Sequence, residues 1–471
     1  MKGFDMHFGI DGTDAKSIVI KDIIGILLWF VISGILRLIG FADTHIVFMA
    51  CVWTVGVALF LVQICRQWDI ERWMVIVVFT GYAGRCLLSA ANIISRYAIS
   101  RRSDSALFMH GARDLYQHIP TDCLNFSYLI NVEFHIFGDN NYLVDLFNHL
   151  TIICTVFLMY YYAKWIKADK RLLIVAVVYV MFTPFQITYT MLPFREGWYV
   201  LCGAGCILMI EKWVKSRKLY YLVAAYGCCI LPAWLHKGNI SWIVSLSVVV
   251  IGYYICEMKK IYGWNRKHLM TFVLIASMAI LLAVIGLQAQ LSTEAQRLLS
   301  LLNGFQYGAY TYMPGNSDYL SLINYDNVWE AVMWTPIRMI YYFLSPMPWN
   351  WRGILDAFSF CADSLFHLSV FVILILFLRK KKWRFTQDEV VWFGLILLII
   401  TMFVYGWGTK KAGTAIRHRD NLLAIEWMLM MRCLKREDTD ILWHDHDIAP
   451  SESAFPVGLH FKAVLQIDQK S

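Results

Sequence analysis

The sequence predicts an all-α, polytopic integral membrane protein with about twelve transmembrane helices, external interfacial helices and both termini cytoplasmic. Three observations predict it. Of 471 residues, 59% are hydrophobic and only 16% charged, where an ordinary soluble domain carries about 25% charged residues. Aromatics reach 15%, with 19 Trp, as expected of a chain whose amphipathic rings line two water interfaces. The apolar residues fall in long runs, and basic residues gather between alternate runs.

A span needs about 20 mostly apolar residues. Runs near 18–41, 46–65, 73–94, 141–163, 171–191, 197–213, 219–235, 239–256, 269–288, 364–378, 388–407 and 415–432 provide the predicted spans. The start, Met1 to Ala15, is polar, with no basic region before a short apolar core, so the run from Ile18 is expected to be a true span and not a cleaved signal. Trp329 to Trp351 is apolar but interrupted by Pro336, Pro346 and Pro348. It is expected to be re-entrant or interface-lying. The organisation that follows is one transmembrane domain over 1–432, with external loops at 95–140 and 289–351. A polar cytoplasmic tail, 433–471, completes it. The 12 cysteines lie mostly in apolar runs with no CxxC pair. They read as small hydrophobes, not as a metal site or a disulfide framework.

Basic loops set the orientation. Those at 66–72, 164–171, 212–218, 257–268, 379–384 and 434–438 all fall on one side of this span order, the expected cytoplasmic side. The net charge of +8 is small for the length and distributed this way, which points to membrane orientation and away from nucleic acid. Basic residues in the opposite loops run against the orientation bias, and an anionic substrate is the reason expected for them.

Five stretches carry candidate chemistry. "DSALFMHGARDLYQ" (104–117) has helical spacing, with Leu107, Gly111 and Leu115 on one stripe, suited to lying along the membrane surface. Asp104 is either a helix cap or a carboxylate that takes a proton or holds a divalent cation against a pyrophosphate. Asp114 stands beside it as a supporting acid. "PFREGWY" (193–199) puts Arg195 and Glu196 at the opening of a span, either as a local ion pair or as an anion site. "WLHKGN" (234–239) puts His236 and Lys237 in a tight turn that is either solvated or functional. "KKAGTAIRHRDN" (410–421) carries Arg417, His418 and Arg419, with Gly413 and Thr414 suited to close backbone approach. Arginine recognises phosphate bidentately, so this is the strongest anion signal, with interfacial anchoring as its alternative. "YYFLSPMPWNWRG" (341–353) is an aromatic edge that fits sugar or lipid equally well. Arg85, inside a predicted span, either snorkels outward or pairs with an external carboxylate. No nucleotide-binding loop, serine-hydrolase elbow or zinc-protease motif is present.

The run from "SDSALFMHGARDLYQ" through "NVEFHIFGDNNYLVDLFNHL" resembles the first external loop and following span of multi-spanning bacterial GT-C glycosyltransferases. "LPFREGWYVL", "LPAWLHKGNISWI" and the late "GTAIRHRDNLL" resemble O-antigen and capsular polysaccharide polymerases, including the EpsG-like and Wzy-type groups. The similarity is spread over about 100–420. It implies a multi-pass protein of the bacterial cytoplasmic membrane acting on a polyprenyl-linked glycan, with polysaccharide-assembly proteins as further partners. It implies Asp104 and His236 as the catalytic pair. Arg195, Arg417 and Arg419 would face the lipid phosphates; on the residues alone, Lys237 and His418 join them, with Arg85, Asp114 and Glu196 in support. The expected activity is repeat-unit polymerisation. A lipid-linked oligosaccharide flippase or other transporter is the alternative, and a non-catalytic scaffold is a third reading. The transporter reading is opposed by the scarcity of midspan charge.

Overall fold

A computed structural model describes residues 31–32, 35, 46–67, 70–95, 104–121, 123–262, 328–385, 388–409 and 411–435. Most of the predicted span 18–41, the span 269–288, the loop 289–327 and the tail beyond Lys435 lie outside these residues. The described helices belong to one compact unit, Phe30–Leu442. The architecture is all-helical, with no strand among the described residues. In chain order the helices are α1 (Ile46–Gln67), α2 (Arg72–Ile94), α3 (Asp104–Tyr116), α4 (Asn125–Phe137), α5 (Asn141–Ile166), α6 (Lys170–Phe182), α7 (Pro184–Thr190) and α8 (Glu196–Ser216). They continue with α9 (Leu219–Leu235), α10 (Ile240–Tyr262), α11 (Val328–Leu344), α12 (Ile354–Ser359), α13 (Leu365–Lys380), α14 (Glu389–Gly408), α15 (Ala412–Asp420) and α16 (Leu423–Cys433).

Seven helical segments among the described residues are long and apolar enough to cross a membrane, or eight if one bent pair is counted as a span. They are α1, α2, α5, α8, α10 with its preceding turn, the α12–α13 segment, and α14. Among the described residues the expected twelve are not reached, and two of the predicted windows, 18–41 and 269–288, lie mostly or wholly outside them. The window 219–235 forms a helix of 17 residues, short for a bilayer core. The last window, 415–432, is interrupted at Asn421–Leu422, where the polar run Arg417–Asn421 gives way to the apolar α16. The proline-rich window is not among these spans: α11 runs through Pro336 and stops before a short turn at Pro348–Asn350.

The peripheral helices present apolar residues outward. Val55 and Leu59 of α1, Ile76 and Leu87 of α2, and Leu376 of α13 are all more than half exposed, as a lipid-facing surface requires. The centre is α5, α8 and α16; every residue from Leu423 to Met431 is buried. Gly197 lets the first turn of α8 lie against α5, because a Cβ there would collide with Thr151.

The bend between α6 and α7, 47°, has an identifiable cause. Pro184 donates no backbone hydrogen bond and holds Thr183 extended, so α6 ends and α7 restarts with proline in its first turn. The carbonyls freed there need donors inside an apolar bundle. Arg85 of α2 supplies them. Its guanidinium donates to Met181 O at 2.9 Å, Gln186 O at 3.1 Å and Val180 O at 3.4 Å, and contacts the Thr190 hydroxyl. Arg85 therefore neither snorkels nor pairs with an external acid; it is 1% exposed and stitches the bent pair to α2.

The charged loops sort to two ends. At one end Lys170 meets Glu71 at 2.5 Å, Arg217 meets Glu389 at 2.6 Å and Arg432 meets Glu211 at 2.5 Å. These are the termini that carry the basic loops. At the other end meet the C-terminus of α14 and α15 with the starts of α3, α8 and α10.

Arg85→Met keeps side-chain volume and removes the donors that serve the bend. Net hydrogen-bond contributions from a charged donor are about 1.5–3 kcal/mol, so a loss of about 3 kcal/mol is expected. Thermal unfolding in detergent should show a lowered midpoint for this variant; an unchanged midpoint would mean the carbonyls at the bend have other partners.

Candidate functional site

Four predicted stretches converge where α3, α8, the α9–α10 turn and α15 meet. Asp104 opens α3, Glu196 opens α8, His236 and Lys237 form the turn, and α15 carries Arg417 and His418. Arg417 is the joint. Its Nη1 donates to Asp104 Oδ2 at 2.6 Å, and its Nε lies 3.0 Å from Glu196 Oε1. The guanidinium also sits 5.5 Å above the Phe194 ring. Burial opposes its charge, but Glu196 and Asp104 outweigh that and hold its pKa above the ordinary arginine value. Arg195 is buried beside it and packs over Phe108 of α3 at 5.3 Å. Its Nη1 donates to Leu235 O at 2.8 Å, and it makes no ion pair among the described residues.

An aromatic stack lies next to the arginines. Tyr405, near the end of α14, stacks on His418 with ring centroids 4.2 Å apart, and on Tyr342 of α11 at 5.8 Å. His236 lies 5.3 Å from His418 and 5.9 Å from Tyr405. The Tyr405 hydroxyl donates to Asn239 Oδ1 at 2.9 Å, and the Asn239 amide in turn reaches Pro232 O at 3.4 Å. Because that proton is committed to Asn239, an Nδ1–H of His236 can donate to the Tyr405 oxygen, 3.1 Å away. Nε2 then holds a free lone pair. The Gly238 amide also approaches Nδ1, at a longer 3.2 Å, and supports the opposite tautomer. Gly238 is needed for the approach itself: a Cβ there would lie 2.7 Å from the Tyr405 hydroxyl.

Both imidazoles are neutral. Burial first, then Arg195, Arg417 and Lys237, push the His236 pKa down to about 3. Burial first, then His236, Arg417 and Arg195, hold His418 well below the ordinary histidine range. Buried polar atoms here without a hydrogen-bond partner include Tyr199 Oη, His418 Nδ1 and Glu196 Oε2. Such atoms are rare in native interiors and offer contacts to a bound molecule. The set combines uncharged proton acceptors with fixed positive charge. An anionic phosphate bound between the arginines would offset the positive charge that holds the imidazole pKa down, and the ring can then take a hydroxyl proton beside a developing anion.

Other predicted residues stand elsewhere. Asp114 is not at the junction; its carboxylate pairs with His110 one turn earlier, at 3.0 Å. Lys237 is exposed on the turn. Arg419 is not presented to a ligand: it is 2% exposed and donates to Asp363 Oδ2 at 3.0 Å and to Ser345 O at 2.6 Å. Helical geometry causes this, since neighbouring residues of α15 face different sides. Gly413 has open space around it, so no close approach requires a glycine there. The protein-facing side of α3 is Ser105, Phe108, Met109, Gly111 and Ala112, while Leu107 of the predicted surface stripe is exposed. Tyr405, Asn239 and Tyr199 were not among the predicted site residues. Each sits in or beside an apolar helix and reads there as an anchor or a core residue.

No protein-family model, curated protein or solved structure matches this chain. Functional assignment therefore rests on the chemistry of the junction.

A histidine whose folded pKa lies below its unfolded value of 6.5 favours the fold only while neutral. Its contribution is fully present above about pH 6.5 and is lost as pH falls toward the folded value. For the buried His418 the slope is at most about 1.4 kcal/mol per pH unit, and it is smaller for the half-buried His236. Stability should fall between pH 6.5 and 4.5, and His418→Gln should flatten that fall. Parallel wild-type and variant profiles would show that His418 is not held neutral.

Proposed function

We propose that the protein is a membrane glycosyltransferase of surface polysaccharide assembly, acting on polyprenyl-(pyro)phosphate-linked sugars as a repeat-unit polymerase. One observation carries the reading: Arg195, buried, and Arg417, half-buried, stand beside the imidazoles of His236 and His418 at one end of a membrane bundle. A lipid-linked donor needs that combination. Its phosphate headgroup must meet fixed positive charge at the membrane boundary, while an acceptor hydroxyl must lose its proton nearby.

In this reading the acceptor oxygen bonds to the anomeric carbon as the bond from that carbon to the phosphate oxygen breaks. The hydroxyl proton passes to His236 Nε2 in the tautomer that carries the ring proton on Nδ1, toward the Tyr405 oxygen. The departing electron pair stays on the lipid phosphate, where Arg195 and Arg417 stabilise it. Asp104 and Glu196 are positioning residues that aim Arg417, and Tyr405 with Asn239 sets the His236 ring. The role of base falls to His236 because Asp104 is already engaged by a guanidinium. The sorting of the basic loops to the opposite end supports a junction on the outer face of a bacterial cytoplasmic membrane in this reading. The resemblance to GT-C enzymes and polysaccharide polymerases agrees with this reading.

His236→Asn and Arg195→Ala are each expected to lower polymer output about 100-fold, the scale seen when one transition-state donor is removed. Tyr405→Phe should lower output less and shift its pH profile. Surface glycan length, measured alongside protein level in the membrane, checks these outcomes. Full-length polymer from a well-expressed His236→Asn variant would contradict the assignment.

A further inference from the structure

The short helix α15 has a second charged face. It carries Arg417 and His418 to the junction, and Arg419 and Asp420 to a cluster inside the bundle. There Asp363 and His367 approach from the α12–α13 segment and Glu426 from α16. Asp363 lies in a π-helical turn, Phe360–Ser364, that interrupts the helix. Such turns recur at functional sites because they redirect one side chain. All five side chains are at most 2% exposed.

The charges do not balance. Three carboxylates, Asp363, Asp420 and Glu426, face one guanidinium, Arg419. His367 sets both ring nitrogens against carboxylates, and even with that ring charged the ionised cluster carries an excess of one negative charge in an apolar interior. Asp420 Oδ2 has no hydrogen-bond partner, although the side chain is buried. Uncompensated buried charge is costly, so the excess requires a counter-charge.

The geometry specifies which kind. One ligand atom each from Asp363, His367 and Asp420 lies within 4.8 Å of the others. His367 Nε2 and Asp363 Oδ1 are 3.0 Å apart. Two ligands held about 2.1 Å from one metal ion are separated by about 3.0–3.4 Å, so this pair already has the right spacing. The other ring nitrogen, His367 Nδ1, lies 2.6 Å from Glu426 Oε2. A carboxylate on the far nitrogen is the partner that metal-bound histidines usually have, and it fixes the tautomer that leaves Nε2 free to coordinate. Arg419 holds the other oxygen of Asp363.

We propose that Asp363, His367 and Asp420 bind one divalent transition-metal ion, with Glu426 orienting His367 and Arg419 orienting Asp363. The ion cancels the excess charge and ties α15 to α13. It thereby fixes the helix that presents Arg417 and His418. The ion is structural in this role, and the site is separate from the junction proposed for sugar transfer.

The full-length protein, purified in detergent, should be stripped with a chelator and titrated with Zn2+. The expected result is about one bound ion per chain by mass spectrometry and a raised thermal midpoint. Asp420→Asn, which keeps the shape of the side chain, should abolish the midpoint shift. Glu426→Gln should weaken Zn2+ binding about 10- to 100-fold. If Asp420→Asn does not fold, the wild-type titration and Glu426→Gln decide the matter. A wild-type midpoint that neither chelator nor Zn2+ moves, or undiminished Zn2+ binding in both variants, overturns the proposal in favour of a cluster balanced by protons alone. Neither readout depends on transferase activity.

Discussion

Arg417 is the one side chain that the candidate site cannot be assembled without. Its guanidinium joins α15 to the first residue of α3 and the first turn of α8, bridging 313 residues of sequence to Asp104. Glu196 is 1% exposed, so removing Arg417 would strand a carboxylate in a nearly dry setting. The reverse also holds: without Glu196 and Asp104, the half-buried guanidinium would lose the carboxylates it pairs with. This mutual dependence fixes where the ends of three helices lie. It leaves Arg195, which has no ion pair among the described residues, as the cation available to an incoming anion.

The rest of the bundle serves that junction by bringing polar groups into an apolar interior under control. Arg85 supplies donors where Pro184 breaks a helix, so α7 can lead into the start of α8. Arg113 holds Asp139 at 2.8 Å and Asn141 at 2.6 Å, which fixes the α4–α5 corner against α3. An aromatic cluster that includes Phe108, Phe126, Phe134 and Tyr199 packs α3 and α4 over the start of α8. Each device satisfies backbone or charge that a bilayer could not.

Much of this was legible in the sequence, for physical reasons that also set the limit. Long apolar runs bounded by basic loops announce helices and their ends, because a bilayer admits little else. So the windows at 46–65, 73–94, 141–163, 197–213, 239–256, 364–378 and 388–407 each fall within or almost coincide with a long helix. Charges that run against the orientation bias marked Asp104, Arg195, Glu196, His236, Arg417 and His418, and these are brought together. The face of a charged residue on a short helix was not legible. Arg417 and Arg419 look equivalent in "RHRD", yet one faces the junction and the other a buried aspartate. Nor was the partnership of Asp363, His367 and Glu426 legible, since it joins two helices across more than 50 residues inside apolar runs. Tyr405 escaped for the same reason: a tyrosine near the end of an apolar helix is ordinarily an interface anchor.

The central claim is that this junction transfers sugar and does not merely hold the bundle together. The most direct measurement uses the full-length protein in lipid vesicles loaded with a defined polyprenyl-pyrophosphate-linked oligosaccharide. Glycan length and free polyprenyl pyrophosphate would be followed over time. Glycan that lengthens in step with release of the free lipid pyrophosphate is the expected result. Lipid-linked sugar that crosses the bilayer, or stays where it is, with no change in length would contradict the assignment.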